Sequence, residues 1–339
     1  MHRSEITIDL GAVRRNVRRL LAELDGSELW AVVKAEGYGH GAADVAGAAL
    51  GAGAAALCVA TVAEGLELRP EFPVARIVVL GPAEGRDVAY AREAGLELCV
   101  ASAEIPDGVQ VHLKLDTGMG RYGLSELIEL QPEVVGLMTH FATADTDDAF
   151  AREQLDRFLA ATSAYTHLTR HAANSAAALC LPEARLDAAR CGIALYGLSP
   201  FGHDPADDGL EPVLQWRSHL AQVKLLEVGE STGYGRRFVA ERPTWIGIVP
   251  VGYADGFRRG LTGTTVRVGG EGARVVGTVS MDSMAVELER ELPVGTPVVL
   301  VGRGITLEQH ARVAGTINYE LATGVNMSPA RARRTVVDS

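Results

Sequence analysis

The sequence predicts an N-terminal (β/α)8 barrel of the TIM type followed by a mostly-β domain. The first two-thirds of the chain alternate short apolar runs with helix-like stretches, and about eight such repeats fit within roughly 200 residues. From about residue 210 onwards the pattern changes to alternating strands separated by glycine turns. A chain of 339 residues suits one large and one smaller domain, which we assign to residues 1–209 and 210–339.

The barrel strands are predicted from apolar runs, which are typical of parallel strands buried on both faces. These runs occupy residues 29–33, 56–60, 76–80, 96–100, 111–115 and 134–138, and residues 166–171 and 186–191 could supply the last two strands. Helix-like stretches lie between them at residues 41–49, 61–68 and 147–165. The same pattern also allows a doubly wound open sheet.

The connection between the fourth and fifth barrel strands is short. Only about nine residues separate the end of the fourth strand, near residue 101, from Val111. A parallel crossover with its helix normally needs roughly 10–12 residues or more. We therefore predict that the helix of this crossover is missing or reduced to a turn.

The second domain is predicted from alternating apolar and polar residues. Strands are expected at residues 219–228, 244–252, 264–268, 273–279, 283–288 and 297–301. One helix is predicted at residues 307–321, and Arg331, Arg333 and Arg334 are expected in a short solvated tail. The first strand of the chain, at about residues 4–10, is a candidate to pair with this domain.

Composition and charge exclude several classes of protein. The 32 basic and 43 acidic residues give a net charge of −11, which leaves no overall attraction for nucleic acid or anionic lipid. No signal peptide is predicted, and the uncharged residues 45–63 are mostly alanine and glycine, too weakly apolar for a membrane span. The four cysteines fit neither a metal site nor a disulfide framework. We expect a soluble, cytoplasmic protein without a bound metal.

Lysine is rare in this chain, because only Lys34, Lys114 and Lys224 are present among the 32 basic residues. Lys34 follows the first predicted barrel strand, and the active sites of barrels lie at the carboxyl ends of the strands. A lysine that forms a Schiff base must be neutral, and burial favours the neutral amine. Alternatively, Lys34 extends from the strand end to solvent.

The segment that contains Lys34 resembles the cofactor-lysine motif of bacterial alanine racemases, which are pyridoxal 5'-phosphate (PLP) enzymes of the barrel type. Eight further segments resemble the same family in the same order, and together they span nearly the whole chain. The nine segments are residues 34–41 (KAEGYGHG), 112–121 (HLKLDTGMGR), 139–145 (THFATAD), 171–175 (HAANS), 190–197 (RCGIALYG), 232–235 (TGYG), 252–256 (GYADG), 280–282 (SMD) and 317–320 (INYE).

The resemblance implies racemisation by two bases. Lys34 would hold PLP and act as one acid–base group, and Tyr234, from the β-rich domain of the other subunit, would act as the second. Two bases on opposite faces of the α-carbon can remove a proton from one face and return it to the other. His140 and Arg190 would assist Tyr234, because nearby positive charge favours a phenolate. Without the resemblance, Tyr234 could be a surface turn residue and His140 a hydrogen-bonded core residue.

Arg190 is also implied to face the ring nitrogen of PLP, where most PLP enzymes have a carboxylate. An arginine does not readily supply a proton, because its own pKa is above 12. The ring would then withdraw electrons less strongly, and protonation at the wrong carbon, which leads to transamination, would be suppressed. The alternative is an ordinary surface or ion-paired arginine.

The remaining family positions imply contacts to the cofactor and the substrate. The phosphate would be bound by hydroxyl and backbone N–H groups, as is usual in barrels. Arg121 would bind the phenolic oxygen of PLP and the substrate carboxylate, and the backbone N–H of Met281 would reach that carboxylate from the other subunit. The residues that bind the cofactor would be Lys34, Tyr38, His140, Asn174, Ser175, Arg190, Gly192, Ile193 and Tyr319. Five of these would bind its phosphate, namely Tyr38, Ser175, Gly192, Ile193 and Tyr319.

Two further features follow from the resemblance. Tyr253, Asp282 and Tyr319 match entrance residues that restrict the channel to small amino acids. Lys114 matches a lysine that is carbamylated in the family, where the resulting anion orients Arg121. The alternative is that Lys114 is an unmodified structural cation.

The resemblance thus implies a homodimer with shared active sites that interconverts L- and D-alanine and supplies D-alanine for peptidoglycan. A broad-specificity or serine racemase, a PLP carrier protein and a barrel-type amino-acid decarboxylase are alternatives. Arg190 argues against the decarboxylase, and Tyr234 argues against the carrier. Residues 36 and 37 are Glu and Gly where Asn or Asp and then Ala are commoner, and Ser280 stands where cysteine is frequent. The shortened crossover leaves open a catalytically weak member.

Overall fold

The computed structural model describes residues 2–302 and 304–339. These residues form two compact units, which we call the barrel unit and the β unit. The barrel unit comprises Val13–Phe201 and Asp208–Glu211. The β unit comprises the described residues up to Ala12 together with Gly202–Asp207 and Pro212–Ser339. The chain begins with strand β1 (Glu5–Asp9) and helix α1 (Leu10–Leu24).

Eight parallel strands close into a barrel, as predicted. They are β2 (Glu28–Val32), β3 (Ala56–Val59), β4 (Ile77–Val79), β5 (Glu97–Val100), β6 (Val111–Lys114), β7 (Val134–Met138), β8 (Thr169–His171) and β9 (Ala188–Cys191). The first and last of these strands pair, with Trp30 opposite Arg190. This pairing closes the sheet and excludes the open-sheet alternative.

Helices cover the barrel after most of its strands. They are α2 (Lys34–Gly39), α3 (Ala42–Gly51), α4 (Val62–Leu68), α5 (Arg86–Glu93), α6 (Asp148–Thr162) and α7 (Ser175–Cys180). The three predicted helices correspond to α3, α4 and α6. Helix α4 begins at a capping box formed by Thr61 and Glu64, and α6 begins at Asp147, whose carboxylate accepts two backbone N–H groups.

Two crossovers of the barrel contain no helix in the structure. Residues 101–110, between β5 and β6, are irregular, which confirms the predicted shortening. Residues 115–133, between β6 and β7, also contain no helix although they are numerous enough for one. Gly118, Gly120 and Gly123 have positive φ angles there, and Leu115 pairs with Leu124 through an isolated bridge. Repeated left-handed backbone at glycines is incompatible with a continuous helix.

The β unit is built on a nine-stranded sheet in the order β11-β14-β17-β16-β15-β18-β10-β1-β19 and a two-stranded ribbon of β12 and β13. Beyond β1, its strands are β10 (Leu214–His219), β11 (Gln222–Leu226), β12 (Ser231–Thr232), β13 (Phe238–Val239), β14 (Thr244–Val249), β15 (Thr265–Val268), β16 (Glu271–Val276), β17 (Met284–Leu288), β18 (Pro297–Val301) and β19 (Arg333–Val337). Strand β1 pairs antiparallel with β10 and parallel with β19.

Two details of the β unit differ from the sequence prediction. The predicted helix 307–321 is two helices, α8 (Leu307–Ala314) and α9 (Asn318–Thr323), because Gly315 adopts a left-handed conformation that ends α8. The C-terminal residues are not a free solvated tail, since β19 lies along β1 and Arg331 forms ion pairs with Asp255 and Asp282. Among the described residues, no helix combines the length and the apolar character needed to cross a bilayer.

Candidate active site

The carboxyl end of the barrel carries most of the reactive residues predicted from the sequence. Lys34 follows β2 after a single residue, His140 follows β7 after Thr139, and Ser175 lies shortly after β8. Gly192 directly follows β9, which carries Arg190. Because parallel strands of a barrel end at the same rim, one end of the barrel collects these side chains.

The backbone that follows Lys34 is a left-handed turn. Ala35, Glu36, Gly37 and Tyr38 have φ angles between 52° and 59° and ψ angles between 36° and 53°. A left-handed helical turn costs a non-glycine residue about 1–2 kcal/mol, so the three non-glycine residues of this turn must be stabilised by surrounding contacts. At Gly37, one of the departures from the family pattern, glycine avoids this cost.

Glu64, at the start of α4, provides one of those contacts. Its Oε1 accepts the backbone N–H of Ala35 at 2.8 Å, and its Oε2 accepts the N–H groups of Ala60 at 2.6 Å and Thr61 at 3.2 Å. One carboxylate thus joins the residue after Lys34 to the end of β3. Sequence analysis did not identify this residue, although the Thr61-to-Glu64 spacing of a capping box marked it as a helix start.

The amine of Lys34 is half-buried and lies in a positive environment. Burial lowers the pKa of Lys34, and the charges of Arg121 and Arg190 lower it further, although the Glu64 carboxylate acts in the opposite direction. Both the burial and the two arginines therefore favour the neutral amine. A neutral amine can act as a nucleophile or a base.

Tyr38 and Gly192 approach each other very closely. A Cβ atom added at Gly192 would lie 2.4 Å from the Tyr38 hydroxyl oxygen, so only glycine allows this approach. The ring of Tyr38 stacks on Tyr196 with centroids 4.9 Å apart, and burial raises the pKa of Tyr38. The hydroxyl therefore stays protonated and can donate a hydrogen bond.

Ser175 and Asn174 organise the same part of the rim. The Ser175 hydroxyl oxygen accepts the backbone N–H of Gly192 at 2.9 Å and that of Ala194 at 3.4 Å. The Asn174 side chain caps helix α7 by accepting the N–H of Ala177. The N-termini of α7 and of the short 3₁₀-helix Ile193–Tyr196 thus converge on Ser175.

Arg190 is buried inside the barrel and fully hydrogen-bonded at both terminal nitrogens. Its Nη1 and Nη2 donate to the backbone carbonyls of Thr139, His171 and Ala172 at 2.8–3.1 Å. They also meet Nδ1 of His171 at 2.7 Å and Nδ1 of His140 at 3.2 Å. In the part of the chain that the structure describes, Arg190 has no carboxylate partner. The alternative of an ordinary ion-paired arginine is therefore wrong.

His140 remains neutral at physiological pH. Burial and the nearby charge of Arg190 lower the pKa of His140 to about 3. Because an arginine can only donate, His140 Nδ1 must accept, and the proton of the neutral ring is on Nε2. His140 therefore presents an N–H donor at Nε2 rather than a positive charge.

Lys114 is the last residue of β6 and is 5% exposed. Burial lowers the pKa of Lys114, and the charge of Arg121 lowers it further. Its nitrogen lies 5.7 Å above the ring of Tyr122, and no carboxylate forms an ion pair with it in the described residues. Arg121 itself is exposed and follows a loop whose backbone N–H groups, from Gly118 to Gly120, bind the Asp116 carboxylate.

In the β unit, three backbone segments that touch one another carry large exposed side chains. The Tyr234 carbonyl accepts the hydroxyl of Thr278, and Tyr253 N–H binds the Ser280 carbonyl. The exposed fractions are 72% for Tyr234, 53% for Met281 and 42% for Tyr253. The structure therefore places these three predicted residues on one surface of the β unit.

The other two predicted residues of the β unit are differently placed. Asp282 carries its carboxylate at 2.8 Å from the guanidinium of Arg331, and its backbone carbonyl accepts a hydrogen bond from Arg3. Tyr319 is half-buried at the start of α9. Sequence analysis did not single out Asp255, which is 1% exposed and joins Arg3, Arg331 and the N–H of Gly252, although it lies within a recognised motif.

Comparison with known proteins covers both units. A model of the alanine racemase N-terminal domain matches residues 8–200, and a model of the alanine racemase C-terminal domain matches residues 213–334. The alanine racemase of Lactiplantibacillus plantarum is 40% identical over 95% of this chain and 95% of its own length. These matches confirm the resemblance found in the sequence.

Solved structures of alanine racemases also match this chain along its whole length. The biosynthetic alanine racemase from Pseudomonas aeruginosa has a TM-score of 0.91 at 37% identity, covering 99% of this chain and 100% of that one. The alanine racemase from D-cycloserine-producing Streptomyces lavendulae has a TM-score of 0.91 at 36% identity, covering 100% of this chain and 98% of that one. The chain belongs to the alanine racemase family of isomerases that act on amino acids.

Proposed function

We propose that this protein interconverts L- and D-alanine with PLP as cofactor, using Lys34 and Tyr234 of the partner subunit as the two bases. The observation that carries the proposal is the arrangement at the carboxyl end of the barrel. There Lys34, at a stabilised left-handed turn, has a lowered pKa next to the positive charges of Arg121 and Arg190. Related proteins named alanine racemase support the choice of alanine as substrate.

The residues present fit a phosphorylated aldehyde cofactor. The Tyr38 hydroxyl, the Ser175 hydroxyl and the N–H of Ile193 are donors at two converging helix N-termini, which attract phosphate. The N–H of Gly192 would exchange its bond to Ser175 for one to the phosphate. The close approach of Tyr38 to Gly192 leaves no room for a side chain at position 192. Asn174 fixes the start of α7, and Tyr319 of the β unit is the remaining proposed phosphate ligand.

PLP, when bound, supplies an electron-withdrawing ring that makes the α-proton of the amino acid removable. Arg190 would face the ring nitrogen, and its hydrogen bonds to three backbone carbonyls hold the guanidinium in place. Because this guanidinium does not release its proton, the ring would remain a weak electron sink. That weakness suppresses transamination relative to racemisation.

Two groups would move the proton at the α-carbon. The neutral amine of Lys34 serves one face, and the Tyr234 phenol serves the other. His140 presents its Nε2–H, which can donate to the Tyr234 oxygen and so favour the phenolate. Arg190 in turn fixes the tautomer of His140 by donating to its other ring nitrogen. Arg190 and His140 would act on Tyr234 through this chain of donors.

The substrate carboxylate would be bound by Arg121 and by the backbone N–H of Met281 of the partner subunit. Lys114 would be carbamylated by carbon dioxide, with loss of one proton from its amine nitrogen. Its lowered pKa and its position beside Arg121, with no carboxylate ion-paired to it in the described residues, support this assignment, because a carbamate would supply a negative charge next to Arg121. Tyr253, Asp282 and Tyr319 would narrow the entrance.

The proposal requires a homodimer with shared active sites. The exposed Tyr234, Met281 and Tyr253 support it, because large side chains gathered on one surface indicate an interface. We further propose that the enzyme works in the cytoplasm and supplies D-alanine for peptidoglycan. The net charge of −11 supports the absence of nucleic-acid and membrane partners.

The test measures racemisation of L- and D-alanine by the PLP-loaded protein, and serine serves as a second substrate. A separate measurement follows the exchange of the α-proton of each enantiomer for deuterium. Lys34→Ala is expected to abolish racemisation. Tyr234→Phe is expected to abolish racemisation but to retain exchange for one enantiomer, because one base remains. Racemisation by Lys34→Ala, or equal exchange of both enantiomers by Tyr234→Phe, would contradict the two-base assignment.

A further inference from the structure

Five polar side chains form an unbroken hydrogen-bonded row inside the barrel. Arg76 Nε donates to Glu97 Oε1 at 2.7 Å, and Glu97 Oε2 lies 2.7 Å from His112 Nε2. His112 Nδ1 lies 2.9 Å from His171 Nε2, and His171 Nδ1 lies 2.7 Å from Arg190 Nη1. We call these residues the polar row. The row ends at the arginine that the proposed function places against the cofactor.

The polar row is tightly enclosed. His112 and His171 have no exposed surface, and Trp30 packs against both rings with centroids 5.4 and 4.5 Å away. The Arg76 guanidinium lies 4.6 Å above the same Trp30 ring. A Cβ atom at Gly136 would lie only 2.2 Å from His112 Nδ1, so the glycine makes room for this ring.

The direction of every hydrogen bond in the row is determined by its two ends. Arg190 can only donate, so His171 Nδ1 accepts and the proton of a neutral His171 is on Nε2. That proton is donated to His112 Nδ1, and the proton of His112 is then on Nε2, where the Glu97 carboxylate accepts it. Both ring N–H groups in this arrangement meet an acceptor.

The reverse arrangement contains two repulsive contacts. If His112 carried its proton on Nδ1, its bare Nε2 would face the Glu97 carboxylate at 2.7 Å. His171 would then carry its proton on Nδ1, directed at Arg190 Nη1 at 2.7 Å. Only the 3.4 Å approach of Arg76 Nη2 to His112 Nε2 favours this arrangement, and at that length it is weak.

Protonation states agree with the first arrangement. Burial lowers the pKa of both His112 and His171, so that both rings stay neutral. Burial opposes ionisation of Glu97, but hydrogen bonds from His112 and Arg76 outweigh it and lower the Glu97 pKa. Glu97 is therefore the single anion of the row, with an arginine at each end.

We propose that Glu97 is a positioning residue of the active site, because it fixes the tautomers of His112 and His171 and thereby gives Arg190 an acceptor on its inner side. Glu97 touches neither of the two proposed bases. It lies at the amino end of β5 and acts on Arg190 through the two rings. The consequence for catalysis rests on the proposed function, whereas the tautomers are a property of the protein itself.

Two substitutions separate hydrogen-bond direction from charge. Glu97→Gln removes the charge, but its amide oxygen can still accept from His112 while its NH₂ faces Arg76, which is partly exposed and can turn towards Glu28. Glu97→Leu removes both the charge and the acceptor, and leaves Arg76 as the remaining polar partner of His112 Nε2. We expect the row to keep its direction in Glu97→Gln. In Glu97→Leu, Arg190 still favours this direction whereas Arg76 favours the reverse, so we expect a mixture of the two tautomers.

The direct measurement is the tautomer of each ring, read from ¹⁵N chemical shifts of histidine-labelled PLP-loaded protein. In the unsubstituted protein and in Glu97→Gln, both His112 and His171 should carry the proton on Nε2. In Glu97→Leu a measurable fraction of both rings should carry it on Nδ1. The kcat for alanine should fall by up to about tenfold with KM nearly unchanged, because that fraction loses a hydrogen bond from the charged Arg190. Single substitutions of each histidine assign the signals.

The outcomes distinguish the two proposals. An Nδ1–H tautomer in the unsubstituted protein overturns the inference about Glu97 even if Glu97→Leu does not fold. The inference about Glu97 is also overturned if Glu97→Leu shows the Nε2–H tautomers alone, with no Nδ1–H form, or if Glu97→Gln loses as much kcat as Glu97→Leu. If the protein does not racemise alanine at all, the proposed function fails while the tautomer measurement still decides the role of Glu97.

Discussion

The barrel unit and the β unit present their proposed reactive groups in opposite ways. In the barrel unit, Arg190 is buried and each terminal nitrogen of its guanidinium donates to protein acceptors. In the β unit, the Tyr234 side chain is 72% exposed, and the backbone carbonyl of this residue accepts a hydrogen bond from the Thr278 hydroxyl. The first group is held by the unit that carries it, whereas the second has its side chain in solvent.

The difference shows how folding energy and function are divided in this chain. A buried cation surrounded by acceptors contributes to stability, because its loss leaves those acceptors unpaired. An exposed side chain contributes little to folding and remains available to a partner. Substitutions in the barrel rim should therefore affect both folding and activity, and those at Tyr234 activity alone.

The largest effect on folding is expected for Arg190→Met. The substitution leaves three backbone carbonyls and two histidine nitrogens without their donor, so the free energy of unfolding should fall by about 3 kcal/mol or more. Urea unfolding at equal protein concentration measures this. Arg290→Met is the control, because its ion pair with Glu271 is exposed and worth less than about 1 kcal/mol. Similar losses in both variants would contradict the comparison.

The second largest effect, about 2 kcal/mol in the free energy of unfolding, is expected when the pH is lowered from 7 to 5. Burial lowers the folded pKa of His140 to about 3, below its usual 6.5. Its contribution to stability is therefore complete above pH 6.5 and is lost as the pH falls towards 3. When the pH falls from 7 to 5, the free energy of unfolding should decrease by about 2 kcal/mol less in His140→Asn than in the unsubstituted protein. The exposed His167, replaced by Asn, is the matched control variant.

The sequence predicted the barrel, the shortened crossover and the family, because these depend on patterns along the chain. Apolar runs mark the strands wherever both faces are buried, and nine residues between residues 101 and 111 leave no room for a helix. The second crossover without a helix was not predicted, because its length alone allowed one. The glycines at 118, 120 and 123 were visible, but their positive φ angles were not.

The polar row could not be predicted from the sequence for a different reason. Glu97, His112 and His171 lie on three strands, and only the closure of the barrel brings them within hydrogen-bond distance. His112 and His171 both lie inside recognised motifs, yet a histidine in an apolar strand gives no sign of its partner. The same applies to Glu64, whose contact with Ala35 joins the turn after β2 to helix α4.

Glu64→Gln is expected to lower the free energy of unfolding by a smaller amount, about 1 kcal/mol. The carboxylate accepts three backbone N–H groups with two oxygens, and an amide has one oxygen for them. The left-handed turn after Lys34 should lose part of its support, which lowers the free energy of unfolding and increases hydrogen exchange at the Ala35 amide. Glu67→Gln, on the exposed face of the same helix, is the control. Unchanged exchange at Ala35 would show that other contacts stabilise the turn.

The smallest effect on folding is expected for Tyr234→Phe, which should change the free energy of unfolding by less than about 0.5 kcal/mol. The hydroxyl lies on an exposed side chain, whereas the Tyr234 carbonyl keeps its bond from Thr278. If the proposed dimer covers this surface, the ring should be modified by a tyrosine-selective reagent at low protein concentration and protected at high concentration. Tyr90, which is 46% exposed on α5 of the barrel unit, provides the internal reference. Equal modification of both tyrosines at every concentration would mean that no second copy covers Tyr234, and the shared active site would then have to be abandoned.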